Sequence, residues 1–458
     1  MKATATKKND NTVSPRLMAV DILTDIETGA GFAESLLDRA LSRASFSSVR
    51  DRGLLTALVY GTLRMRGRLD WIIRYYYRGD YDRMECGIKN ILRSALYQAR
   101  FTERIPDFAV VNEAVNITRR QYPGREGLVN GILRNVLRGV DAVAFPVRAD
   151  NFGDYIAVFH SHPRWLVDMW MSEMGDDETE RLCAANTTIP PFTVRVNRLK
   201  ASPEEVMTFT NREGVTARRG EYSPDALHLS DRVGAPGDWP LVTNGMVQIQ
   251  DEASQLVSCL VAPGPGDRVL DLCAGAGIKT IHMAALMKNI GNITAVDIYA
   301  GKNDMLRELA ARQGATIIET VTADATSDLG AAFRGAFDRV LVDAPCSGTG
   351  TLRRNPEIKW RLAEEDIRRL ATLQGRLMDA AAVYTAVGGY LVYTTCAVSR
   401  RENDGCIHDF MTRNGNFELV QRHKNMPAAA VGDDGLFRTF PHRHGTDGFF
   451  GAVMKKIS

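Results

Sequence analysis

Apolar residues at Leu54, Leu55, Leu58, Val59 and Leu63 recur at helical spacing and predict a helix across Asp51–Arg66. Cys86–Arg100 and Gly127–Arg138 carry the same period, and alternating β-branched runs are few. Residues 1–140 therefore read as an all-α bundle. The period fades over 141–165, which holds Pro146 and Pro163 and reads as a connecting segment. Between 166 and 245 the pattern turns mixed. Pro190 and Pro191 precede the alternating run Phe192–Val196. Ser202 and Pro203 form a helix start, and Ala226–Leu229 and Met246–Ile249 supply further strand candidates, so this stretch reads as a small α+β unit.

From 246 to 458 short apolar strands alternate with helices. The strand candidates are Asp267–Leu272, Ile293–Ile298, Ile317–Thr322, Asp338–Ala344 and Gly389–Thr395, with helical patterns such as Met305–Gln313 between them. That alternation predicts a mostly parallel α/β sheet covered on both faces, a Rossmann-like arrangement whose ligands bind at the carboxyl ends of the strands.

Composition narrows the class without naming a chemistry. The 458 residues are 45% hydrophobic and 24% charged, and no apolar run is long enough to span a bilayer. The opening residues carry lysines with no apolar stretch behind them, unlike a secretory signal. Seven cysteines without a CxxC pair suit a reducing cytoplasm better than a disulfide scaffold. The eight histidines show no ligand spacing; His442 and His444 read as structural or substrate-side residues, and no metal is expected. Net charge is only +2, yet the first 140 residues hold 23 basic against 15 acidic residues and the rest 34 against 40. A basic first third suggests a polyanion-binding module; a solvated arginine-rich helical surface explains the same count.

The chemistry gathers at the strand ends. The first strand of the sheet runs into Cys273, Ala274, Gly275, Ala276, Gly277, Ile278, Lys279 and Thr280, a glycine turn that lets a ligand approach the backbone. The next strand ends in Asp297, about 20 residues on, where a carboxylate accepts both hydroxyls of a ribose. Asp324 follows the third strand and suits either an adenine amino group or a helix cap. The turn lacks full GxGxxG spacing, which disfavours a nicotinamide dinucleotide. A plain tight turn with a solvent-facing aspartate is the alternative. The fourth strand ends in Asp343 and Cys346, and the fifth in Cys396. One free cysteine is ordinary packing. Two at strand ends of the same sheet, beside an acid and a nucleoside pocket, point to covalent chemistry on a pyrimidine. A thiolate adding to carbon 6 of cytosine makes carbon 5 nucleophilic toward the methyl group of S-adenosylmethionine. Such a thiolate needs nearby positive charge, and Arg353, Arg354 and Lys359 are candidates.

DAPCSGTGTLRRNPEIKW together with YTTCAVSRREN resembles the motif pair of RNA cytosine carbon-5 methyltransferases. VNEAVNITRR and LVNGILRNVLR resemble a NusB-like RNA-binding domain. With QIQDEASQLV and HGTDGFFGAVMKK, the chain is similar from about residue 14 onward to bacterial 16S ribosomal RNA methyltransferases of the Sun/Fmu (RsmB) type. The resemblance implies three parts: a NusB-like bundle, a small α+β adaptor and an S-adenosylmethionine-dependent methyltransferase domain. It also implies roles. Cys396 would be the nucleophile and Cys346 would assist release. Asp343 would hold the cytosine edge near the cofactor. Cys273 to Lys279 would line the cofactor, Asp297 would bind its ribose and Asp324 its adenine. DNA cytosine methyltransferases use the Pro-Cys cysteine instead, but the Thr-Cys motif and the NusB-like segment favour Cys396.

The implied partner is an unpaired or loop cytosine of 16S ribosomal RNA, met in the cytoplasm by a monomer without membrane attachment. The turn departs from the family's Cys-Ala-Ala-Pro-Gly-Gly-Lys-Thr at Gly275, Ala276 and Ile278. Ile278 adopts positive φ less readily than glycine. That departure supports a second reading, an RNA-binding assembly protein on a degenerate methyltransferase scaffold.

Overall fold

The structure, a computed structural model, describes residues 14–43, 46, 48–102, 105–139, 142–230, 236–421 and 425–458. The lysine-bearing opening, residues 1–13, lies outside the described residues. The chain forms two compact units. One comprises residues 1–188 with Leu352–Arg361; the other comprises Ile189–Thr351 with Leu362–Ser458.

The first unit is helical: Pro15–Glu27, Ala33–Arg43, Val49–Tyr76, Cys86–Phe101, Asp107–Gln121 and Glu126–Gly139. Phe152–Phe159, Arg164–Met174 and Asp176–Asn186 follow. Its core is aliphatic, with Leu69, Leu92, Leu96 and Val136 fully buried in one cluster and Leu55, Leu58 and Val59 in another. The segment read as a connection holds a helix. Asn151 accepts the Asp154 amide and caps Phe152–Phe159, whose short run of apolar residues gives too few turns for a clear period.

Sequence reading ends the third helix near Arg66, but it continues to Tyr76. Arg64, Arg66 and Arg68 therefore lie within the helix and serve the interior of the unit. Arg64 is buried and donates to the Arg353 carbonyl at 2.9 Å. Arg66 pairs with Glu27 at 2.7 Å, and Arg68 lies over the Phe159 ring at 4.4 Å. Buried Arg93 takes Asp70 and Glu27 together at 2.6 and 2.7 Å. Burial alone would lower its pKa; the two carboxylates outweigh it and hold the guanidinium charged. Part of the basic excess of the first third is thus spent inside the bundle.

The second unit holds two sheets. The smaller contains β1 (Phe192–Val196), β2 (Ala217–Arg219), β3 (Ala226–Leu229) and β4 (Val247–Ile249), antiparallel in the order β2-β3-β1-β4. The helix Pro203–Arg212 packs with it and starts in a capping box between Ser202 and Glu205. The larger sheet contains β5 (Arg268–Asp271), β6 (Asn292–Asp297), β7 (Ile318–Thr322), β8 (Phe337–Asp343) and β9 (Thr385–Thr395). It is completed by β10 (Phe417–Leu419), β11 (Phe437–Thr439) and β12 (Phe449–Lys456). The order is β10-β12-β9-β8-β5-β6-β7, with β11 beside β12. From β9 to β7 every pairing is parallel, so five strands end on one edge. Fully buried Leu270, Val340, Leu391 and Tyr393 form one core and Val269, Ile293, Leu341 and Val392 another, the near-continuous apolar strands of a sheet covered on both faces.

Candidate active site

After β5 the backbone turns sharply. Gly275 and Gly277 take φ of 57° and 84°, and a Cβ on Gly277 would lie 2.4 Å from Leu306. Gly277 is therefore required by local geometry, and Gly275 eases its left-handed φ in open space. Ile278 carries no positive φ: it is the first residue of the helix Ile278–Leu286, so isoleucine at that position imposes no backbone strain. The first amides of this helix lack intrahelical partners and face the edge where the parallel strands end. Buried Arg195 of β1 donates to the Ile278 carbonyl at 2.9 Å and ties the small sheet to the start of this helix. Burial pushes its guanidinium down to about 9.

Asp297 closes β6 with one carboxylate oxygen accepting the Gly275 amide and the other the Tyr299 amide, both at 2.9 Å. Asp324 caps its own turn, taking the Thr326 amide at 2.9 Å and hydroxyl at 2.8 Å, bonds that lower its pKa; no helix starts there. Burial, then the carboxylates of Asp271, Asp343, Asp297 and Asp324, holds the Cys273 thiol well above its ordinary range. The edge is electronegative around Cys273. Buried Asp271 accepts from Thr280 Oγ1 at 2.7 Å, and burial pushes its carboxyl up to about 7.

The two cysteines meet for a reason of register. Asp343 of β8 pairs with Thr394 of β9, so the loops bearing Cys346 and Cys396 leave adjacent parallel strands at the same level. The sulfurs lie 3.2 Å apart. The contact with Cys396, then burial, holds Cys346 well above the usual thiol range. Gly350 donates to the Cys396 carbonyl at 2.8 Å and knits the loops together. A Cβ there would collide with the Gly448 carbonyl at 2.0 Å. Asp343 accepts from Thr394 Oγ1 at 3.0 Å and pairs with Lys279. Burial opposes the charge on Lys279, but the Asp343 carboxylate prevails and raises its pKa.

The cations expected from sequence, Arg353, Arg354 and Lys359, belong to the helical unit. Lys359 is buried in the helical unit and donates to the Arg64 carbonyl at 3.0 Å, and the Arg353 carbonyl is taken by Arg64. Lys279 is the cation beside Asp343. Glu402 and Asn403 are functional candidates beyond those expected from sequence, although both stand in the block around Cys396. Their signal is an acid and an amide following a strand-end cysteine by six and seven residues. His444 is structural: Nδ1 accepts the Phe440 amide and Nε2 meets the Ala429 carbonyl, both at 3.0 Å.

A family model described as 16S rRNA methyltransferase RsmB/F matches residues 258–455. The NusB family matches 13–138, and a ferredoxin-like domain of the RsmF/B-like methyltransferases matches 162–235. The chain is 37% identical to "Probable ribosomal RNA small subunit methyltransferase B" of Bacillus subtilis, covering 97% of this chain and 99% of that protein. It is 32% identical to "Ribosomal RNA small subunit methyltransferase B" of Pseudomonas syringae, covering 97% and 98%. A solved structure described as PH0851 matches at TM-score 0.82 and 28% identity over 97% of this chain and 99% of that one. NSun6 from Pyrococcus horikoshii, solved with SFG, matches at TM-score 0.58 and 22% identity over 65% of this chain and 98% of that one, a likeness of fold. Among the described residues no helix is long and apolar enough to cross a membrane. The chain belongs to the family of 16S ribosomal RNA methyltransferases of the RsmB/F type.

Proposed function

We propose that this protein methylates carbon 5 of a cytosine in 16S ribosomal RNA through a covalent bond to Cys396, with S-adenosylmethionine as methyl donor. The observation that carries the reading is the 3.2 Å approach of the Cys346 and Cys396 sulfurs at the end of β8 and β9, beside the Asp343–Lys279 pair.

The glycine turn fits the donor. Around Gly275 there is open space where a Cβ would stand, the helix amides suit a carboxylate, and the acids around Cys273 suit a cation such as a sulfonium. Cys273, Ala274, Gly275, Ala276, Gly277, Ile278 and Lys279 would line it, with Asp297 at the ribose and Asp324 at the adenine. When bound, it supplies an electrophilic methyl group. Cys396 adds as thiolate to carbon 6, and the electron pair this places on carbon 5 forms the new carbon–carbon bond. Asp343, held by Lys279 and Thr394, accepts from the cytosine amino group and fixes the ring edge. Loss of the carbon 5 proton to a base restores the ring as the Cys396 sulfur leaves. Cys346, kept protonated by its contact with Cys396 and by burial, donates to that departing sulfur. Attack on carbon 6 comes from the face of the ring, so the cytosine must be unstacked, as in unpaired or loop RNA.

The helical unit is the RNA-gripping part. Arg119, Arg134 and Arg138 are exposed, and they bond the neutral side chains of Asn116, Asn130 and Asn135, which leaves their charge available for phosphates. The residues 166–245 serve as adaptor. The work takes place where ribosomal RNA is made and assembled, in the cytoplasm. With 16S RNA, Cys346→Ala is expected to accumulate a protein–RNA adduct that survives denaturing electrophoresis, and Cys396→Ala to form none. The reverse pattern would make Cys346 the nucleophile. Bisulfite mapping with and without the protein identifies the cytosine.

A further inference from the structure

The residues after Cys396 fold into a π-helical turn, Arg401–Gly405, closed by the Gly405 amide on the Arg400 carbonyl at 2.8 Å. Such turns are rare and gather at functional sites. This one places two adjacent polar side chains, Glu402 and Asn403, in the interior, exposed by 0% and 5%.

Their bonds divide between the two cysteine loops. One oxygen of Glu402 accepts the Ser347 amide at 2.8 Å and the other its hydroxyl at 2.6 Å. Gln374 bridges Glu402 at 3.2 Å and the Pro345 carbonyl at 2.9 Å. The residues on both sides of Cys346 are thereby gripped. Asn403 accepts from Thr395 Oγ1 at 2.6 Å and donates to the Ala397 carbonyl at 2.9 Å, gripping both sides of Cys396. The turn itself is pinned by the buried Tyr393 hydroxyl on the Glu402 carbonyl at 2.6 Å.

We infer that Glu402 and Asn403 are positioning residues that set the two sulfurs independently, Glu402 fixing Cys346 for release and Asn403 fixing Cys396 for attack. Buried polar groups this fully bonded hold one geometry, and loss of one partner leaves the others stranded. The inference rests on the covalent mechanism proposed above, and the two neighbours have opposite consequences. In full-length protein with 16S RNA, Glu402→Ala is expected to accumulate adduct as Cys346→Ala does while methylation slows by roughly tenfold or more. Asn403→Ala is expected to form little adduct, as Cys396→Ala. Glu402→Gln restores release, because its amide oxygen accepts from the Ser347 amide and its nitrogen donates to the Ser347 hydroxyl.

Bridging of the two thiols by phenylarsine oxide, which needs close sulfurs and no RNA, should weaken in both alanine variants. If Glu402→Ala fails to fold, Ser347→Ala, which removes one bond to the same carboxylate, should show a smaller accumulation of adduct. Unchanged arsenical bridging in both alanine variants, or the same adduct level in both, overturns the inference. Absence of adduct in both Cys346→Ala and Cys396→Ala, with bridging still weakened in the two alanine variants, overturns the covalent mechanism and leaves the positioning role standing.

Discussion

Two lysines, one partly and one fully buried, stand in contrasting regions. Lys279 lies at the strand ends of the catalytic unit, and Lys359 lies in the helical unit on the segment Leu352–Arg361. Lys279 has the Asp343 carboxylate beside it, and its pKa is raised. Lys359 has the Arg64 carbonyl, with another cation, Arg64, nearby. Burial pushes it down to about 7. Loss of solvent opposes the charge on both, so the partner decides it. Lys279 can act as a fixed cation, whereas Lys359 costs stability when it is protonated.

Four experiments sharpen that contrast. The largest effect belongs to Lys279→Met, which strands the Asp343 carboxylate and removes the site's cation. Methyl transfer should fall by about 10²–10³-fold with the protein still folded, as measured by transfer of labelled methyl to RNA. A near-normal rate would remove Lys279 from the site chemistry. In the other region, Trp360→Ala deletes an indole that donates to the Leu63 carbonyl at 2.7 Å and should cost about 3 kcal/mol of stability in denaturant unfolding. Next comes pH. The folded Lys359 releases its proton near 7, whereas in the unfolded chain the ordinary value of 10.5 applies. Between those values the unfolded chain holds more protons, so stability should rise with pH from about 7 to 10.5. Lys359→Met should flatten that rise and melt higher than the parent at pH 7; an identical slope in both proteins would refute the assignment.

The smallest effect concerns Asp271. Its folded carboxyl titrates near 7 against 3.8 unfolded, so the folded state holds the extra proton and stability falls as pH rises from about 4 to 7. Asp271→Asn should gain stability over the parent above pH 7 and little near pH 4, read from paired thermal melts.

What was legible in the sequence follows the range of the interactions. β5, β6 and β7 stand within a residue of the expected strands because apolar runs between turns are local signals. β9 starts four residues earlier than expected, at Thr385, since Gly388 and Gly389 break the apolar run that marks its remainder. The glycine turn was visible for the same local reason. The long-range pairs were not. Glu402 reaches Ser347 across 55 positions, and Lys359 reaches Arg64 across 295. Nothing in a local pattern says which loop a buried acid will grip. The basic count of the first third overstates the charge turned outward, because Arg64, Arg66 and Arg93 are spent on internal partners, and only contacts reveal that.

The segment Leu352–Arg361 carries a consequence for biosynthesis. Glu357 accepts the Ala33 amide at 3.0 Å, Trp360 caps the Leu63 carbonyl and Arg361 the Gly31 carbonyl at 3.0 Å, all within the helical unit. A nascent chain that has emerged only as far as Thr188 lacks this last piece, and domains made early ordinarily fold first. Until translation has passed through the Pro-Cys loop and delivered Arg361, the helical unit lacks these partners for the Ala33 amide and the Leu63 and Gly31 carbonyls.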